Sequence, residues 1–111
     1  MQGVDTPEVT PAEAYERSQG SKGVIVDVRE SDELEQVLLD GAVHVPLGEL
    51  QNRLDEIPKD REVFMLCHVG QRSAMATQFL RQLGHERVWN IKGGVMGWVR
   101  SGLPANWAEH G

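Results

Sequence analysis

Val63-Phe64-Met65-Leu66-Cys67-His68-Val69-Gly70-Gln71-Arg72-Ser73 is the stretch whose reading decides the fold of this chain. An apolar run ends at the only cysteine in the sequence, and after a short polar loop Ala74 to Leu83 reads as a helix that stops at Gly84. The segment therefore predicts strand, tight turn and helix in immediate succession. That placement changes the chemistry of Cys67. A helix N-terminus leaves backbone N–H groups without partners and carries partial positive charge, so an anion there is stabilised. A cysteine thiolate is such an anion. Gly70 lets the backbone bend so that successive N–H groups point inward as a nest, and Arg72 adds a full positive charge. A lone cysteine is most often a small buried hydrophobe. A core cysteine, however, has no need of a glycine, an arginine and a helix start after it, and the expectation here is an anion cradle with a nucleophile at its centre.

Upstream, Val24-Ile25-Val26-Asp27-Val28 is a β-branched apolar run, the mark of a strand buried on both faces. Asp27 and Arg29 lie at its C-terminal end, where ligands gather in open α/β sheets. They read equally well as part of a site or as a structural ion pair that fixes a loop. Val9-Thr10 reads as a short first strand, and Thr10-Pro11-Ala12-Glu13 as a capping box with proline at N1, opening a helix to about Ser18. Ser31-Asp32-Glu33-Leu34 begins another short helix with acidic residues in its first turn.

Gly41-Ala42 leads through Val43-His44-Val45 into a strand that Pro46 ends; His44, with no partner in view, reads as a packed or exposed strand residue. Leu50, Leu54 and Ile57 recur at i, i+4 and i+7, the pattern of an amphipathic helix opening near Leu47 and ended by Pro58. In the helix after Cys67 the same reasoning selects Met75, Phe79 and Leu83 as the core stripe. Val88 to Ile91 is a last strand, Lys92-Gly93-Gly94 a sharp turn, and Val95 to Arg100 a short helix. Trp98 is expected in the core or over the rim of the site, and Ala105 to Gly111 as a loosely held tail. Strands alternating with helices throughout imply an α/β fold with a mostly parallel sheet and right-handed crossovers.

Composition narrows the function. With 11 Lys and Arg against 17 Asp and Glu, the formal net charge is −6, which disfavours nucleic acid. No run approaches the roughly 18 apolar residues of a membrane span, and Met1 to Pro7 holds no apolar targeting core. One cysteine forms no internal disulfide, and His44, His68, His85 and His110 are too scattered for metal-ligand spacing. A single reactive thiol suits a reducing compartment, and the expectation is a cytoplasmic protein of one domain over residues 1–111, its core about 8–104.

These stretches in order resemble the rhodanese-homology family of single-domain sulfurtransferases. Four carry the resemblance: Val26-Asp27-Val28-Arg29-Glu30 after a buried strand, Gly41-Ala42 before Pro46, Cys67 to Arg72 followed by Ser73, and Gly93-Gly94 followed by Trp98. The resemblance implies a rhodanese-like five-stranded, mostly parallel sheet with helices on both faces. It implies that Cys67 accepts sulfane sulfur from a donor such as thiosulfate, becomes a persulfide, and passes the sulfur to cyanide or a thiol. By position, His68, Val69, Gly70, Gln71, Arg72 and Ser73 match the substrate-binding loop, with the amides of Val69 to Arg72 as the cradle, and Asp27 and Arg29 match a supporting pair. No cofactor and no metal are implied. The partners it implies are a small-molecule sulfur donor and a thiol or cyanide acceptor, with an acceptor protein left open and neither nucleic acid nor membrane expected.

This chain departs from the family at Val37-Leu38-Leu39-Asp40-Gly41-Ala42, where relatives often read Gly-His-Ile-Pro-Gly-Ala; the change is expected to alter only a surface loop. Thiosulfate-specific relatives often place a basic residue in the loop, and His68 is the one candidate here. A phosphatase group that shares the fold has a loop one residue longer. With only His68, Val69, Gly70 and Gln71 between Cys67 and Arg72, the ring suits one sulfur atom better than a tetrahedral phosphate. A further reading, a persulfide carrier or interaction module for a partner protein, stays open.

Overall fold

The structure is a computed structural model and describes residues 6–107. Strands β1 (Glu8–Val9), β2 (Gly23–Asp27), β4 (Val43–His44), β5 (Glu62–Leu66) and β6 (Val88–Ile91) form one sheet in the order β1-β6-β5-β2-β4, every neighbouring pair parallel. Strand β3 (Val37–Leu38) stands apart and pairs antiparallel with β7 (Asn106–Trp107). Among the described residues are four α-helices: α1 (Pro11–Arg17), α2 (Ser31–Leu34), α3 (Gln71–Gln82) and α4 (Gly94–Arg100). The expected α/β architecture with a five-stranded parallel sheet is thus observed.

The two-sided burial follows from strand periodicity. Alternate side chains of a strand point to opposite faces. Val26, Val63, Met65 and Val88 join Leu50, Ile57, Ala76 and Leu80 on one face, while Ile25, Phe64, Leu66 and Ile91 join Ala14, Val95 and Trp98 on the other. Both faces are apolar because helices cover both, which is why β2 and β5 read as unbroken apolar runs. At the start of α1 the Thr10 hydroxyl accepts from the Glu13 N–H at 3.1 Å and the Thr10 N–H donates to Glu13 Oε1 at 2.8 Å, the reciprocal cap expected from the sequence. Trp98 lies in the core, its Nε1 donating to the Pro104 carbonyl at 2.8 Å and its ring edge-on to Tyr15.

Three expectations are corrected. The segment from Leu47 forms no α-helix but two 3-10 helices, Leu47–Asn52 and Leu54–Glu56. Its apolar residues pair as Leu47 with Leu50 and Leu54 with Ile57, at i and i+3, which is the spacing that eclipses in a 3-10 turn. The core stripe of α3 is rotated by one residue from the expected one. Ser73, Ala76, Thr77 and Leu80 are buried, whereas Met75 is 62% and Leu83 46% exposed. Small side chains let the helix approach the sheet closely, and an apolar count ranks methionine above alanine and threonine.

The third correction concerns the C-terminal tail. Residues 106–107 pair with Val37 and Leu38, and the Asn106 side-chain amide hydrogen-bonds Asp40. Val37 and Leu39 are buried, so the departure from the family pattern at 37–42 reaches the core as well as the surface. Residues 108–111, the rest of the tail, lie outside the described residues, as do Met1 to Asp5 and His110.

Candidate active site

Cys67 follows β5 directly, at the C-terminal edge of the parallel sheet, and is buried. Its Sγ accepts from the Gly70 N–H at 3.1 Å and lies 3.2 Å from Ser73 Oγ. Gly70 is the N-cap of α3 with φ +101°, a conformation that side chains resist. The turn therefore depends on glycine, and it brings the Gly70 N–H back onto the sulfur three residues earlier. Of the cradle amides expected from the sequence, Gly70 alone touches the sulfur among the described residues. The N–H groups of Val69, Gln71 and Arg72 donate to no protein acceptor there, and the last two belong to the unsatisfied first turn of α3. His68, Val69 and Gln71 are exposed and ring the entrance.

The loop is held from two sides. On one side, Gly93 and Gly94 bring the N-terminus of α4 against it. The Val95 N–H donates to the Cys67 carbonyl at 2.8 Å and the Met96 N–H to the His68 carbonyl at 3.1 Å. On the other side Arg72 reaches across to α2, where its two terminal nitrogens each donate to one oxygen of Glu33 at 2.7 Å. The same carboxylate accepts from the Glu30 N–H at 2.9 Å. These bonds, the Arg72 fork above all, hold the Glu33 carboxyl down to about 2 and push the Arg72 guanidinium up. Arg72 thus acts as a forked strut between α3 and α2, and its charge is matched by Glu33.

Asp27 and Arg29 lie one layer behind. The Arg29 guanidinium donates to both Asp27 oxygens at 2.8–3.1 Å, and the Arg29 N–H donates to Asp27 Oδ1 at 3.0 Å. The remaining guanidinium donors bond the carbonyls of Glu33 and Val37 at 3.3 and 2.9 Å. Both side chains are almost fully buried, with 0% and 1% exposure. The pair makes no hydrogen bond to the sulfur among the described residues and pins the 30–37 segment that carries Glu33. His44, expected without a partner, donates from Nε2 to the Arg29 carbonyl at 2.6 Å.

Two contributors escaped the sequence reading. Glu33 looked like an ordinary first-turn acid, and nothing local marks its partner 39 residues away. Asn90, in the middle of β6, is 1% exposed and accepts from Ser73 at 2.6 Å. A polar residue inside the run Val88-Trp89-Asn90-Ile91 was the available signal, since a buried amide must find partners.

The Glu33–Arg72 tie yields a pH prediction. The Glu33 carboxyl is depressed in the fold from its ordinary 4.5 to about 2. Its contribution is therefore complete above pH about 4.5 and is lost as pH falls toward about 2. Glu33→Gln is expected to cost about 1 kcal/mol at neutral pH, discounted for the partial exposure of both side chains. Urea unfolding of parent and variant should show that difference shrink below pH 4.5; a difference that grows instead contradicts the tie.

Comparison with known proteins identifies the family. The model of the Rhodanese-like domain family matches residues 10–101. A sulfurtransferase of Allochromatium vinosum is 41% identical over 81 residues, covering 73% of this chain and 76% of the relative. A thiosulfate sulfurtransferase of Glaesserella parasuis is 38% identical over 97 residues, covering 87% of this chain and 90% of the relative. Among solved structures, a rhodanese-related protein from Thermoplasma volcanium superposes with a TM-score of 0.82 at 29% identity, covering 90% of this chain and 97% of that one. The chain belongs to the rhodanese-like family of sulfurtransferases. No helix among the described residues is long and apolar enough to cross a membrane.

Proposed function

We propose that this protein moves sulfane sulfur from a donor such as thiosulfate to a thiophilic acceptor, cyanide or a thiol, through a persulfide on Cys67. The observation that carries the reading is the Cys67 sulfur held by the Gly70 N–H and Ser73 hydroxyl inside a ring whose other N–H groups meet no acceptor among the described residues. In the first step the Cys67 thiolate attacks the outer sulfur of the donor; the donor S–S bond breaks and its electron pair leaves with the departing anion, sulfite for thiosulfate. In the second step the acceptor attacks the outer sulfur of the persulfide, and the electron pair of that S–S bond returns to Cys67. The free N–H groups of Val69, Gln71 and Arg72 are the donors available to the charge on the outer sulfur. Asp27 and Arg29 support the loop without taking part in either step. Neither step calls for a cofactor or a metal. A single thiol that must stay reduced between turnovers suits the cytoplasm.

The four-residue spacing between Cys67 and Arg72 and the closed Arg72–Glu33 fork favour this reading over phosphate chemistry, which needs a wider ring and a free cation. Intact-mass measurement after incubation with thiosulfate tests it. The parent is expected to gain about 32 Da, one sulfur, and to lose it on addition of cyanide, while Cys67→Ser gains nothing. Absence of the adduct with thiosulfate and with low-molecular-weight persulfides removes the proposal. An adduct that forms but resists cyanide and small thiols points to a persulfide carrier serving a partner protein.

A further inference from the structure

Ser73 Oγ has one hydrogen and two neighbours that want it. It lies 3.2 Å from Cys67 Sγ and 2.6 Å from Asn90 Oδ1. The orientation of the Asn90 amide is dictated by its other contacts. Its nitrogen faces Glu8 Oε2 at 3.1 Å and the Gly70 carbonyl at 3.2 Å, both of which only accept, so both amide hydrogens are committed and the oxygen must face Ser73. Asn90 and Ser73 are both buried.

We propose that the Ser73 hydroxyl is a two-position donor to the reacting sulfur and that Asn90 is the residue that positions it. The proposal rests on the sulfur-transfer reading of Cys67. In the neutral thiol, the Cys67 S–H donates to Ser73 Oγ and the Ser73 O–H donates to Asn90 Oδ1, so every hydrogen has an acceptor. When the sulfur loses its proton, Ser73 Oγ would present lone pairs to an anion. The hydroxyl then turns to donate to the sulfur and leaves Asn90 Oδ1. A hydrogen bond to a charged acceptor is about twice as strong as a neutral one, which makes the exchange favourable. During the reaction the hydroxyl turns twice. It returns to Asn90 when Cys67 Sγ becomes bonded to the transferred sulfur and loses its charge. It swings back when the acceptor takes that sulfur and the electron pair of the broken S–S bond arrives on Cys67. Ser73 thereby stabilises Cys67 as nucleophile in the first step and as leaving group in the second, and Asn90 keeps the hydroxyl from opposing the thiol state. Charged and titratable groups lie on the surrounding elements as well: Arg72 of α3 with Glu33 of α2, Glu8 of β1 through Asn90, and the exposed His68 of the loop. Asn90→Leu frees Glu8 from its bond to the Asn90 amide, a change that the double variant shares and so controls for, and the other groups are not altered in the test.

Cys67 is the only cysteine, so ultraviolet thiolate absorbance reports it alone. The thiolate fraction at one fixed pH, set where the parent is partly ionised, is measured in the parent, Ser73→Ala, Asn90→Leu and the double variant. Asn90→Leu leaves the Gly70 carbonyl satisfied, because the Ala74 N–H also donates to it at 3.2 Å. Ser73→Ala removes the donor to the anion and is expected to lower the thiolate fraction about threefold, whereas Asn90→Leu removes the competing acceptor and is expected to raise it by a similar factor. The double variant should match Ser73→Ala if Asn90 acts on the sulfur through the hydroxyl and not through Glu8 or the Gly70 carbonyl. General damage to packing would move both single variants in the same direction, and that result overturns the proposal. So does an Asn90→Leu effect that persists when Ser73 is alanine. If Asn90→Leu does not fold, Asn90→Ala replaces it, and a Ser73→Ala protein with the parental thiolate fraction is decisive against the switch. The titration uses no sulfur donor. A parent that shows this pattern but gains no sulfur by mass therefore keeps the switch and loses the transfer reading.

Discussion

Asp27→Ala is expected to cost about 3–5 kcal/mol of stability, the range for removing one partner of a buried ion pair. The Asp27 carboxylate accepts both the guanidinium and the backbone N–H of Arg29, and both side chains are almost wholly out of solvent. Without it the Arg29 charge remains buried, with only the carbonyls of Glu33 and Val37 to satisfy it. The melting temperature should fall by more than about 10 °C. The sulfur-transfer rate of the fraction that stays folded should change much less, because neither side chain bonds Cys67 Sγ and the β2–β5 pairing that ends at Leu66 is made by backbone groups. Replacing both residues by apolar ones, as in Asp27→Leu with Arg29→Met, should recover much of the loss, since no uncompensated charge is then left inside. Urea unfolding and thermal melts of the three proteins measure this. An Asp27→Ala protein that melts like the parent but transfers sulfur far more slowly would place Asp27 in the chemistry itself.

Gly94→Ala is expected to lower sulfur transfer about a hundredfold or more, the scale set by a displacement of about 1 Å at a reacting centre. A Cβ on Gly94 would lie 2.5 Å from the Cys67 carbonyl oxygen and 2.6 Å from the carbonyl carbon and oxygen of His68. All three are backbone atoms of the cysteine loop, so no side-chain rotation relieves the clash. The glycine also sits at φ +60°, which strains any side chain. Either α4 moves off, and the bonds from Val95 and Met96 to the loop carbonyls break, or the loop moves and the Gly70 N–H leaves the sulfur. Overpacking and strain together should also cost about 3 kcal/mol. Gly48→Ala is the matched control: a Cβ there meets nothing within 4 Å, and both stability and rate should stay near parental values. A Gly94→Ala protein with parental transfer would show that the contact between α4 and the loop does not set the geometry of Cys67.

What could be read from the chain alone shares one property: it depends on neighbours along the backbone. The β-branched run at Val24–Val28, the reciprocal cap of Thr10 and Glu13, and the strand–loop–helix around Cys67 are local patterns, and the structure contains each of them. Gly70 was legible because a tight turn before a helix needs a residue tolerant of positive φ. The alternation of such units identified an α/β sheet, and the order of the motifs pointed to the family.

Tertiary structure decided which face of each element is buried and which groups far apart in sequence meet. Apolar counting chose Met75, Phe79 and Leu83 in α3; Phe79 does pack against the core, but the sheet demanded close approach and buried Ser73, Ala76, Thr77 and Leu80 in place of Met75 and Leu83. The 47–57 segment had helical spacing, yet 3-10 geometry seats its paired leucines just as well. The antiparallel pairing of Val37–Leu38 with Asn106–Trp107 is too short to leave a period in either segment. Arg72 carried its charge in plain view, but only the fold shows that Glu33 takes it up and turns it from a free cation into a strut. Asn90 likewise reads as a polar interruption of a strand until parallel pairing sets β6 beside β5 and brings its amide to Ser73. Backbone propensity acts over a few residues, whereas hydrogen-bond partners and packing faces are settled by distances in space, and those exist only once the sheet has assembled.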